Sequence, residues 1–93
     1  MGARPREKPK RLAEKLVHIR TALGLSQNEL VRLFAGRETL TQKRISGYES
    51  GRDEPSLITL LRYARAANVP LEYIVDDDLD LPARLPAKAK RKP

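Results

Sequence analysis

The sequence predicts an all-α protein, with one compact five-helix domain between two basic, flexible tails. Three observations support this fold class: apolar residues recur at the spacing of amphipathic helices, helix-capping residues stand just before these runs, and no stretch alternates apolar and polar residues long enough for a strand. A chain of 93 residues has room for one domain. We expect the domain to span residues 11–81. Residues 1–10 and 82–93 should be flexible, because they are rich in proline and charge and poor in apolar groups.

The first two predicted helices are separated by a glycine. The first runs from about residue 11 to residue 23, and its apolar stripe consists of Leu12, Leu16, Ile19 and Leu23. Gly24 then ends it. Ser26 begins the second helix, because it can cap the amide of Glu29 while Glu29 returns a hydrogen bond to Ser26. We expect this helix to reach about residue 34 and to bury Leu30, Leu33 and Phe34.

The third helix follows a connection that contains a glycine. Thr41 can cap it, and we expect it to span residues 41–50 and to end before Gly51. Thr39 with Gln42 is an alternative cap, which leaves the start open by about two residues.

Two further helices complete the domain. Ser56 caps the fourth, whose predicted stripe consists of Leu57, Leu60, Leu61 and Ala64. A break at Val69 and Pro70 follows, and residues 71–75 suit a short fifth helix.

The composition excludes several classes of protein. There is no cysteine and His18 is the only histidine, so neither a thiolate or multi-histidine metal site nor a histidine-based triad can be assembled. We therefore predict no enzyme, no metal, no cofactor and no small-molecule ligand. No apolar run approaches the roughly 20 residues that span a bilayer. We expect a soluble protein of the cytoplasm, associated with the nucleoid and not with a membrane.

The net charge of +7 is concentrated in the tails and indicates a polyanionic partner. Residues 1–11 carry five basic side chains and one acidic, and residues 82–93 carry five basic and no acidic ones. We expect at least one tail to contact DNA nonspecifically; improved solubility or a protein partner is the alternative. An acidic cluster, expected to be solvated, consists of Asp76, Asp77, Asp78 and Asp80.

The third helix has a face suited to the edges of base pairs. Successive residues turn by about 100°, which points Ile45 and Tyr48 towards the core. The outward face consists of Gln42, Lys43, Ser46 and Gly47. It carries an amide, an ammonium and a hydroxyl but no carboxylate. An amide pairs with adenine, an ammonium donates to guanine, and a hydroxyl can pair with either base. A merely solvated polar face is the alternative. The pattern favours a DNA-binding helix-turn-helix over residues 26–49.

A series of residues along the chain also matches, in the same order, the sequence pattern of a known family. They are Ile19, Arg20, Leu23, Gly24, Leu25, Ser26, Gln27, Glu29, Leu30, Leu40, Thr41, Gln42, Ile45, Ser46, Tyr48, Glu49, Gly51, Pro55, Ser56, Leu57, Thr59, Leu60, Leu61, Val69, Pro70 and Leu71. With them, residues 12–75 resemble the lambda-repressor/Cro-like helix-turn-helix family, often called XRE. The resemblance implies a compact five-helix, lambda-repressor-like domain that binds double-stranded DNA.

The resemblance also implies roles for individual residues. Those expected to read base edges in the major groove are Gln42, Lys43, Ser46 and Gly47. Gln27, at the start of the second helix, is expected to contact a phosphate. Arg20 and Glu49 match a pair that links the first and third helices; an ordinary surface ion pair is the alternative. From their positions, Arg44 and Arg52 are expected to contact phosphates.

The chain departs from the family pattern between the two motif helices. About four residues, 36–39, are inserted, and Val31 stands where the family usually has alanine. We hypothesise that Arg37 in the lengthened turn approaches the phosphate backbone; a solvent loop that tolerates insertion is the alternative. Gly47 is unusual inside a helix, and either permits close approach to DNA or leaves that base position unread.

The expected function is that of a sequence-specific transcriptional regulator, a repressor that acts as a homodimer on a near-palindromic operator. Residues 71–75 and the loop that follows them are the expected dimer surface by family resemblance. The first alternative is a protein-interaction module, an antitoxin or bridging factor, with a large exposed apolar patch and only nonspecific nucleic-acid affinity. RNA binding is the second, but it would require exposed aromatic residues, and the chain has one phenylalanine and three tyrosines.

Overall fold

The protein is described here by a computed structural model that covers residues 8–35 and 40–86, and this part of the chain forms helices and no strand. The helices are α1 (Leu12–Ala22), α2 (Gln27–Leu33), α3 (Gln42–Ser50), α4 (Leu57–Ala67) and α5 (Glu72–Val75). The predicted all-α class and the order of the five helices are confirmed. The observed α1, α2, α3 and α5 lie within one or two residues of their predicted bounds, as expected for ends that fray, and α4 begins directly after its predicted cap, Ser56.

The helix ends are set by the local signals in the sequence. Ser26 accepts a hydrogen bond from the amide of Glu29, and the Glu29 side chain accepts one from Ser26, so α2 begins with a complete capping box. Thr41 caps α3 by accepting from the amide of Arg44. Gly51 ends α3 in the left-handed conformation with φ 83°, which a residue without a Cβ adopts at little cost. The alternative cap at Thr39 lies outside the described residues.

The core forms around α1, which contacts α3, α4 and α5. The largest fully buried apolar side chains of the core are Leu16, Ile19, Leu30, Ile45, Tyr63 and Ile74. Phe34 packs edge-on against Tyr63 with ring centroids 5.2 Å apart, a favourable aromatic geometry. Since α2 also packs on α3, burial holds the third helix against two others.

Two predicted core positions were wrong. Leu33 is 48% exposed and Leu57 is 67% exposed. In α2 the buried face is centred on Leu30 and Phe34, about 80° away from Leu33. The buried face of α4 consists of Thr59, Leu60, Tyr63, Ala64 and Ala67, so the helix is rotated from the predicted stripe.

The segment after α5 is fixed to α1 by a buried lysine. Lys15 is only 2% exposed. Its ammonium donates hydrogen bonds of 2.7–2.9 Å to three backbone carbonyls, those of Tyr73, Asp76 and Leu79. A buried ammonium is tolerated when all its donors are satisfied, and here it satisfies the carbonyls at the end of α5.

Asp77 holds the backbone just before α1 from the far end of the domain. Arg11, the N-cap residue of α1, forms no side-chain cap. The Asp77 carboxylate instead accepts from the backbone amides of Lys10 and Arg11 at 2.8 and 3.0 Å, and these hydrogen bonds lower the pKa of Asp77. Part of the acidic cluster is therefore structural and not only solvated. Leu81 and Leu85 are also buried, so packing continues past the expected boundary at residue 81.

No helix within the described ranges is long and apolar enough to cross a membrane. The same residues contain no group of three or more His, Cys, Asp or Glu side chains arranged to hold a metal ion.

Candidate nucleic-acid interface

The recognition helix expected from the sequence, α3, buries one side and exposes the other. Ile45 and Tyr48 lie in the core. Gln42, Lys43 and Arg44 are exposed at its first turn, and Ser46 is half-buried. Polar side chains therefore project from the N-terminal end of α3, where a helix entering the major groove contacts base edges.

Arg20 of α1 holds the far end of α3 through a bidentate ion pair. Its Nε and Nη2 donate to the two carboxylate oxygens of Glu49 at 2.6 and 3.0 Å. The Arg20 side chain is 17% exposed and that of Glu49 is 7% exposed. Nη1 of Arg20 also donates to the carbonyl of Leu25 at 2.9 Å. The hydrogen bonds to Glu49 raise the pKa of Arg20, so its guanidinium stays charged.

The same carboxylate continues into a chain of amides. Gln27, at the start of α2, donates from Nε2 to Glu49 at 3.0 Å. Gln42, at the start of α3, donates from Nε2 to Oε1 of Gln27. The chain Arg20–Glu49–Gln27–Gln42 thus joins three helices and fixes the orientation of the exposed Gln42 carboxamide. We call these four side chains the polar network.

A polar cleft lies between α3 and the loop that follows it. It encloses about 820 Å³ and is lined by Thr41, Lys43, Arg44, Tyr48, Arg52, Asp53, Glu54 and Ser56. Three of these side chains are cationic and two are acidic. The cleft therefore combines donors with acceptors, which distinguishes it from a simple phosphate-binding patch.

Gly47 is buried under the loop that follows α3. A Cβ at this position would overlap the Asp53 carboxylate and lie 2.9 Å from Nη2 of Arg52. Its surface is thus covered by these two side chains, which gives the glycine a packing reason that the sequence did not reveal. A direct base contact by Gly47 itself would require both side chains to move.

Other predicted site residues fall into three groups. Arg44 and Arg52 are exposed, as a phosphate contact requires. Arg37 and the rest of the inserted turn lie outside the described residues. Val31 is half-buried against the core, so its extra bulk over alanine is accommodated.

Sequence reasoning missed four residues, three that hold the backbone of the fold and one that covers part of α3. Lys15 and Asp77 each form hydrogen bonds with residues more than 50 positions away in the sequence, and no local pattern indicates such contacts. Arg62 of α4 donates to the carbonyl of Phe34 at 2.7 Å, where it satisfies the end of α2. Asp53 could have been found, because a mid-helix glycine indicates close approach by another group.

A capped helix with a polar outer face, held on a small helical core, is the arrangement that DNA-binding helix-turn-helix domains use. The chain belongs to the helix-turn-helix family (HTH_3), whose model matches residues 16–74. The resemblance to lambda-repressor-like helix-turn-helix proteins is thereby confirmed.

Two curated relatives were found, both named "Antitoxin HigA1" and coming from two strains of Mycobacterium tuberculosis. Each is 36% identical to this chain over 70 residues, which is 75% of this chain and 44% of the relative. The chain therefore spans less than half the length of the curated relatives it matches. No solved structure matches the chain.

Proposed function

We propose that this protein is a sequence-specific transcriptional regulator that represses by placing α3 in the major groove of its operator. The polar network is the observation that carries this proposal. It ties the Gln42 carboxamide to a nearly buried ion pair through Gln27, so the reading group is oriented before DNA is bound. Preorganised polar groups lose less entropy on binding than mobile ones.

The proposed contacts follow from the chemistry of the exposed groups. A carboxamide has two N–H donors and an acceptor oxygen. When Gln42 donates one N–H to Gln27, its second N–H and its oxygen still match N7 and N6 of adenine. Lys43 can donate to guanine, and Ser46 can serve either base. Gln27, at the start of α2, would contact one phosphate, and the exposed Arg44 would contact another.

A homodimer on a near-palindromic site would supply the specificity that one short helix lacks. A single α3 reads only a few base pairs, whereas two copies one helical turn apart read a useful operator. Repression would follow from occupancy of a promoter.

Selection of bound duplexes from a random pool tests this proposal. The wild-type protein should enrich a two-fold symmetric motif, and the double variant Gln42→Ala/Lys43→Ala should lose the preference at the positions these residues read. Arg65→Ala is the matched control, because Arg65 is exposed on α4, away from the polar cleft. It should keep the wild-type motif. A motif left intact by the double variant would refute the assignment of the readers.

An antitoxin role is the second candidate, supported by the names of the two relatives and by an open apolar groove. This groove of about 670 Å³ lies between α2 and α4 and includes the exposed Leu33 and Ile58. Arg62 and Arg65 also line it, so it suits an apolar segment that carries acidic residues. Such a partner would be a toxin protein. Failure of the wild-type protein to enrich any motif would favour this role over sequence-specific regulation.

A further inference from the structure

The surface of α3 one turn after Lys43 is formed by side chains that do not belong to α3. Position 47 lies about 40° around the helix from Lys43, on the same outward face. Its own residue is glycine, and the space that a side chain would fill is taken by the Asp53 carboxylate and the Arg52 guanidinium. The loop thus supplies the functional groups that the helix lacks at this position.

Backbone hydrogen bonds fix the loop in this place. The amide of Asp53 donates to the carbonyl of Gly47 at 3.1 Å, and the Ser50 hydroxyl donates to the same carbonyl at 3.1 Å. The amide of Arg52 donates to the Ser50 hydroxyl at 3.3 Å. With Gly51 in the left-handed conformation, residues 51–53 turn back along α3 rather than away from it.

The opposite charges of Arg52 and Asp53 suit contact with a base pair better than contact with a phosphate. Nε of Arg52 lies 3.6 Å from Oδ2 of Asp53, and both side chains are more than half exposed. A carboxylate beside an arginine weakens its attraction for a phosphate. Towards the major-groove edge of a G·C pair the same carboxylate is useful, because guanine O6 and N7 accept from arginine and cytosine N4 donates to a carboxylate.

We propose that Arg52 and Asp53, seated over Gly47, read one G·C base pair next to the one read by Lys43. Arg52 donates to the guanine. Asp53 accepts from the cytosine amino group and holds the guanidinium in place. This assignment replaces the phosphate role expected for Arg52, and it rests on the proposed function of α3 as a base-reading helix.

Duplex selection followed by affinity measurements on single duplexes tests this pair. The wild-type motif should contain a G·C pair beside the position lost in Lys43→Ala. Replacing it by A·T should weaken wild-type binding about 5- to 150-fold, the usual cost of one mismatched pair. Arg52→Ala and Asp53→Ala should each reduce this discrimination to about twofold or less while the rest of the motif persists. Arg44→Ala is the comparison, because loss of a phosphate contact weakens all duplexes alike.

Two results would overturn the inference while leaving the proposed function intact. One is a uniform loss of affinity in Arg52→Ala with the motif unchanged, which means a phosphate contact. The other is tighter binding of every duplex by Asp53→Ala, which means that the carboxylate only repels DNA. If the wild-type protein enriches no motif, the proposed function fails and this inference fails with it. Thermal unfolding of each variant excludes misfolding as the cause of any change.

Discussion

Removal of the Glu49 carboxylate should be among the most destabilising single changes on the interface. Breaking a buried ion pair from one side costs 3–5 kcal/mol, because the remaining charge is left uncompensated. Arg20 keeps 17% of its side chain exposed and can regain some water, so we place Glu49→Ala at about 3 kcal/mol, the low end of that range. In a domain of this size each kcal/mol lowers Tm by about 4–8 °C, which gives a loss of about 12–24 °C.

A double-mutant cycle on Arg20→Ala and Glu49→Ala isolates the pair itself. Urea unfolding followed by far-ultraviolet circular dichroism should give a coupling energy of about 2 kcal/mol that persists in 1 M salt, since buried pairs are screened little. The matched control is Arg11 with Glu14, an i,i+3 pair whose side chains are 35% and 65% exposed, which should show no measurable coupling. A coupling for Arg20–Glu49 below about 0.5 kcal/mol, or one abolished by salt, would refute the reasoning.

Two further predictions concern the ends of the fold and its core. The pKa of Asp77 lies below its ordinary value of 3.8 because the carboxylate accepts hydrogen bonds from the amides of Lys10 and Arg11, just before α1. The ionised form therefore stabilises the fold above pH 3.8, and this stabilisation disappears as the pH falls through the lowered pKa. Thermal unfolding from pH 7 to pH 2 should therefore show Asp77→Asn below wild type at neutral pH, with a difference that shrinks below a pH of about 4; a constant difference would contradict the role of the charge. Leu30→Ala should cost about 2–5 kcal/mol in urea unfolding, because Leu30 is fully buried, whereas Leu33→Ala should cost less than about 1 kcal/mol. Equal losses would mean that the faces of α2 have been assigned incorrectly.

The local part of this structure was predictable because its causes lie within a few residues of each other. The Ser26 capping box and the Thr41 cap are i,i+3 relations, and both are present where the sequence indicated them. The rotation of α4 was not predictable, since Thr59 and Tyr63 are buried there in place of the more hydrophobic Leu57. Tertiary packing selected that face. Because a leucine-rich helix has more than one apolar stripe, burial against the rest of the domain decides which stripe faces the core.

The candidate site was predictable in its helix but not in its surface. The identities of Gln42 and Lys43 as exposed residues follow from helical periodicity. The covering of Gly47 depends on how residues 51–53 fold back, which is a property of the loop backbone and not of any spacing. The same limit applies to Lys15 and Asp77, whose partners lie at the other end of the domain. Sequence patterns therefore locate a recognition helix more securely than the groups presented on it.

The distribution of cations suggests how affinity and selectivity would be divided in this protein. Arg20 is neutralised by Glu49 within the fold, and the cleft beside α3 presents Lys43, Arg44 and Arg52. If Lys43 and Arg52 contact bases, few cations of the domain remain to neutralise phosphates. Each phosphate that is neutralised contributes a slope of only about −0.9 in log affinity against log salt. One protomer would then bind selectively but weakly. Tight binding would require a second copy, the nine basic side chains of residues 1–10 and 82–93, or both. The basic side chains of the tails would attract phosphates of any base sequence, so they would raise the affinity for every duplex. The choice of operator would be left to α3 and the loop that covers Gly47.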